Sequence, residues 1–111
     1  MKIHIIAVFL FSLLVLSCKK NKQHPVPNIP FDITIDLNLP SYFDLQGVGG
    51  FCYVVGGSKG IVVYRRSIDE FVAFDRHSPV DVDGTCSPLY SDEDNFLQLI
   101  DPCSDAKFSL F

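Results

Sequence analysis

An all-β fold, a small antiparallel sandwich or open barrel, is predicted by three features of this 111-residue sequence. Short runs rich in β-branched and aromatic residues recur along residues 31–111, and glycine-bearing turns separate them. No segment carries a convincing helical period. About 80 residues are left for a core, enough for one small domain.

Residues 31–38 alternate strictly, with Phe31, Ile33, Ile35 and Leu37 on one face and Asp32, Thr34, Asp36 and Asn38 on the other. That pattern predicts a strand, packed on one side and wet on the other. Leu39-Pro40-Ser41 ends it, and residues 42–46 have no clear preference. Gly47, Gly49 and Gly50 form a turn before a second strand over 51–55. The stretch Gly56-Gly57-Ser58-Lys59-Gly60 is a hairpin loop returning in a strand over 61–65. After a turn at 66–69 comes a fourth strand, 70–75, then a long polar connection, 76–93. Strands over 95–100 and from Lys107 onward complete the set. The last one stops on Phe111 with no closing turn, so Phe108, Leu110 and Phe111 are left on a free edge; the domain is expected to be truncated there.

Residues 1–17 read as a secretory signal: Lys2 precedes an apolar run from Ile3 to Leu16, broken only by His4 and Ser12 and too short to span a bilayer comfortably. Its ending, Val15-Leu16-Ser17-Cys18, resembles the bacterial lipobox, whose cysteine is lipidated (palmitate among its acyl chains) after cleavage. Residues 18–30 then form a flexible tether with Lys19, Lys20, Lys22 and three prolines. The expected location is the cell envelope, on a membrane reached through the Cys18 lipid, with the outer membrane facing periplasm or surface as the assigned site. From residue 31 onward thirteen acids face five bases, a net charge of −8, which argues against nucleic acid as a partner. A protein partner is left open.

With Cys18 committed to lipid, three cysteines remain. Cys52, inside a strand, reads as an inert buried thiol. Cys86 and Cys103 lie in two loops that each follow a strand, and in an oxidising exported compartment their pairing is the default expectation. Two free thiols, or a partner beyond Phe111, are the alternatives.

Glu70-Phe71-Val72-Ala73-Phe74-Asp75-Arg76, a proline-containing loop, and Asp101-Pro102-Cys103-Ser104-Asp105-Ala106-Lys107-Phe108 together resemble the Rieske ferredoxin domain, and more narrowly the Rieske-type lipoproteins of Gram-negative bacteria. The resemblance spans residues 48–111 and implies a Rieske-like sandwich with two facing loops. In that family Cys-x-His and Cys-x-x-His supply two thiolates and two imidazoles to a [2Fe–2S] cluster. Here the resemblance puts Ser78 and Val80 at the first pair, Asp101 and Ser104 at the second. Valine has no lone pair, serine hydroxyls stay protonated, and a carboxylate is a harder ligand than a thiolate. Cys103 stands where the family's loop-bridging cysteine stands, which implies a bridge to Cys86. The expectation is therefore a Rieske-like, non-enzymatic lipoprotein with no cluster and no other metal, acting as a binding or structural module. A [2Fe–2S] electron carrier serving a reductase or oxygenase, and an unrelated β-sandwich surface lipoprotein, are the alternatives.

Three further patterns read as structural. Asp81-x-Asp83-Gly84 begins like a calcium loop but lacks its closing glutamate. His77, with no nucleophile nearby in sequence, is expected to be an exposed loop residue. Arg65-Arg66 is expected to pair with the acidic loops.

Overall fold

The computed structural model describes residues 1–4 and 26–111. The expected processing and lipidation at Cys18, with most of the signal segment and tether, lie outside the described residues.

Among the described residues six strands form two antiparallel three-stranded sheets. The first holds β1 (Phe51–Val54), β2 (Ile61–Arg65) and β3 (Phe71–Asp75) in that order. The second holds β4 (Tyr90–Ser91), β5 (Gln98–Ile100) and β6 (Lys107–Ser109). Both are meanders, neither closes into a barrel, and the small all-β fold read from the sequence stands.

The central strand β2 explains the layering. Ile61, Val62, Val63 and Tyr64 are all buried, so both of its faces are covered. Val62 and Tyr64 pack with Leu89, Leu99 and Leu110 of the second sheet and its flanks, joined by Phe51, Val72 and Phe108. Ile61 and Val63 pack on the opposite face with Leu45, Ile35, Leu37, Tyr42, Cys52 and Val54. The period-2 alternation of a strand distributes these residues between two cores. Leu45 comes from a 3-10 helix, Pro40–Gln46, begun by Pro40 in the first turn, where a missing N–H costs nothing. Arg65 fastens that helix to the sheet: its guanidinium donates to the carbonyls of Leu45 (3.1 Å) and Gln46 (2.7 Å).

Residues 31–38 depart from expectation. They belong to neither sheet: Ile35 and Leu37 are half-buried on the outer face of β2, while Phe31 and Ile33 are exposed. The expected packed face is thus covered only in its second half, and without a backbone partner. Conversely, Tyr90–Ser91 pairs with β5 from inside the segment read as a polar connection. Arg65 and Arg66 correct a third expectation, since Arg66 pairs with neighbouring Glu70 and Arg65 serves backbone carbonyls rather than acidic loops.

Arg76, just past β3, ties the two sheets together. Its amide donates to Gly60 (2.8 Å), its Nε to the Leu89 carbonyl (2.7 Å), and its carbonyl accepts from the Leu89 amide (2.8 Å). The guanidinium also stacks 3.7 Å above the Tyr53 ring. At the far side Lys107 of β6 pairs with the buried Asp92 carboxylate at 2.9 Å. Between the sheets an apolar cleft of about 330 Å³ is lined chiefly by Phe74, Leu89, Leu99, Phe108 and Leu110.

Candidate functional site

The two cysteine-bearing loops meet where the sheets diverge. The first runs from His77 past Cys86; the second is a tight turn at 101–106 between β5 and β6. In that turn the Asp101 amide donates to the Ala106 carbonyl and the Asp105 amide to the Asp101 carbonyl, both at 2.9 Å. Asp105 takes the left-handed conformation (φ 59°) that closes it, one that aspartate tolerates better than most residues. A disulfide, Cys86–Cys103, spans 17 residues and joins the loops.

Beside the bridge three polar residues converge. Asp101 and Ser78 are each 1% exposed, and the Ser78 hydroxyl donates to Asp101 Oδ2 at 2.6 Å. The Ser104 hydroxyl donates to the same oxygen at 3.0 Å, and the Cys103 amide donates to Oδ1 at 2.8 Å. The Ser78 hydroxyl and then the Cys103 amide hold the Asp101 carboxyl below the usual carboxylate value, outweighing burial. Burying a charge this deeply is tolerable only because its oxygens are so fully met. Ser78, Asp101 and Ser104 were singled out separately in the sequence; the fold joins them in one hydrogen-bonded knot. Val80, the fourth position, is 53% exposed, and its own backbone amide is what reaches Ser78 Oγ (3.3 Å).

These residues do not fit a [2Fe–2S] cluster. The Ser78 hydroxyl is committed to the Asp101 carboxylate at 2.6 Å, and the Val80 side chain offers no donor atom. The two cysteines of the loops have bonded to each other.

A second constellation, around His77, went unread in the sequence. His77 is buried (4% exposed), against the expectation of an exposed loop residue. Its Nε2 lies 2.9 Å from the Asp81 carbonyl and its Nδ1 2.8 Å from Ser58 Oγ. A carbonyl can only accept, so in the neutral ring Nε2 carries the proton and Nδ1 accepts from the Ser58 hydroxyl. A serine therefore does lie against His77, nineteen residues away in sequence, supplied by the β1–β2 hairpin. Yet the amides flanking that serine are spent. Ser58 N–H and Lys59 N–H both donate to the Asp75 carboxylate, at 2.6 and 3.2 Å, as does His77 N–H at 2.9 Å. A carboxylate sits where acyl transfer needs free amide donors, so the pair anchors the hairpin rather than forming an oxyanion site. Gly57 makes the anchor possible: it adopts φ +60°, and a Cβ there would collide with Asp75 Oδ2.

Asp81 is neutralised by an ion pair with the chain's own Lys59, contrary to a calcium-loop role. It accepts Lys59 Nζ at 2.8 Å and the Thr85 and Cys86 amides at 3.2 Å each; Lys59 foremost keeps its carboxyl below the usual value. Lys59 Nζ also donates to the Cys86 carbonyl, so the hairpin grips the loop beside the disulfide. Cys52 is half-buried and the free cysteine among the described residues, its thiol pKa pushed up by burial and then by Asp44, which suits an inert group.

No family model matches the sequence, and no curated protein or solved structure matches it either.

Proposed function

We propose that this protein is a lipid-anchored, non-enzymatic module of the cell envelope, whose two facing loops keep a Rieske-like frame without its [2Fe–2S] cluster and serve binding or structure. The observation that carries this reading is the meeting of Ser78, Asp101 and Ser104. These are three of the four positions at which the resemblance seats cluster ligands, and they lie beside a loop-joining disulfide. The Ser78–Asp101 bond joins segments 23 residues apart, an arrangement in keeping with two facing loops. In place of metal bonds, the loops are closed by a covalent staple and a buried carboxylate with three donors. The lipid at Cys18 and the lysines that follow it would hold the acidic domain near the membrane surface.

Two measurements on protein purified from membranes test the reading. Iron and acid-labile sulfide are expected to be absent, with no low-temperature EPR signal after dithionite. Palmitate labelling is expected in the native chain and lost in Cys18→Ala. Stoichiometric iron and sulfide would make it an electron carrier instead, and labelling that survives Cys18→Ala would remove the anchor.

A further inference from the structure

The disulfide corner has a second chemical state built into it. Cys86 Sγ, Cys103 Sγ and a carboxylate oxygen of Asp101 all lie within 4.8 Å of one another. We propose that reduction of the Cys86–Cys103 bridge turns this corner into a zinc site, with the two thiolates and the Asp101 carboxylate as protein ligands and water as the fourth.

The backbone is fixed for it without help from the bridge. The Cys86 amide donates to Asp81 Oδ2 (3.2 Å) while its carbonyl accepts from Lys59 Nζ. The Cys103 amide donates to Asp101 Oδ1 (2.8 Å). Opening the sulfur–sulfur bond breaks none of these, so both sulfurs stay directed at the same space. Asp101 is held too, by Ser78, a hydrogen bond of the kind that orients metal-bound carboxylates. A donor set of two soft thiolates and one carboxylate suits tetrahedral zinc, whereas calcium and magnesium require oxygen throughout. Cys103 is exposed and Cys86 half-buried, so a thiol reductant can reach the bond.

The chemistry balances. An external dithiol is oxidised to its disulfide as Cys86 and Cys103 each gain an electron and a proton. Zinc then displaces those two protons as it binds the thiolates. The site depends only on where these three residues sit, whatever the ancestry of the loops.

The test uses the detergent-solubilised full chain in a Cys52→Ser background, reduced with a phosphine under argon and titrated with zinc against a chromophoric chelator. Cobalt serves as a spectroscopic probe of thiolate ligation. The reduced chain is expected to bind one zinc, with a cobalt–thiolate band in the near ultraviolet, and the oxidised chain none. Asp101→Asn is expected to weaken zinc about tenfold or more while keeping the thiolate band. Any of three results would overturn the proposal: no zinc on the reduced chain, undiminished affinity in Asp101→Asn, or loss of the β-sheet circular dichroism on reduction before zinc is added.

Discussion

Replacing Ser78 by alanine isolates the buried knot with little change of shape. The hydroxyl donates at 2.6 Å to a carboxylate oxygen, and both residues are 1% exposed, so water cannot take its place. A hydrogen bond to a charged group contributes about 1.5–3 kcal/mol. Asp101 would keep its bonds from Cys103 and Ser104, which limits the loss to about 2 kcal/mol. Ser104 donates to the same oxygen but is exposed, and solvent can replace it; Ser104→Ala is expected to cost less than about 1 kcal/mol. In a domain of this size the first loss corresponds to about 10 °C in Tm. Urea unfolding of the oxidised proteins, with the bridge verified in each, measures both. Equal costs for the two variants, or a Ser78→Ala cost under about 0.5 kcal/mol, would refute the reasoning that the buried carboxylate depends chiefly on Ser78.

Other perturbations probe the remaining supports. Replacing Cys86 and Cys103 together by alanine is expected to cost about 3 kcal/mol from loop-closure entropy over the 17-residue separation, read as a fall in urea midpoint. Gly57→Ala is expected to cost 1 kcal/mol or more, about the strain of a non-glycine residue at φ +60° plus the clash with Asp75, seen as a lowered Tm. Asp92, whose carboxyl Lys107 foremost lowers to about 2, contributes stability that is present above the ordinary carboxylate pKa of 3.8. That contribution is lost as pH falls from there toward about 2. A series of melts between pH 6 and about pH 2 is expected to show a shallower acid loss in Asp92→Asn than in the parent.

Much of the first sheet was legible because its strands are runs of β-branched and aromatic residues cut by glycines. Phe51–Val54, Ile61–Arg65 and Phe71–Asp75 fall within a residue of the expected bounds. Residues 31–38 were misread for a physical reason: alternation marks an apolar face but says nothing of a backbone partner, and without one only Ile35 and Leu37 are half-buried. Tyr90–Ser91 was too short to carry any period. The cysteine pairing, expected from loop position and an assumed oxidising compartment, is present as Cys86–Cys103. Ser78, Asp101 and Ser104 were each marked, yet nothing local showed that Ser78 would bury its hydroxyl against Asp101, since that bond spans 23 residues. The same distance problem hid His77: its burial depends on Ser58, nineteen residues earlier, and on Asp75 bending the hairpin back over it.

The most direct test of loops closed by sulfur and carboxylate is a non-reducing peptide map of the protein from its native source with metal analysis of the same sample. A Cys86–Cys103 linked peptide in nearly every chain, without stoichiometric metal, is the expected result. Both cysteines free in the native protein, or bound to iron, would contradict it.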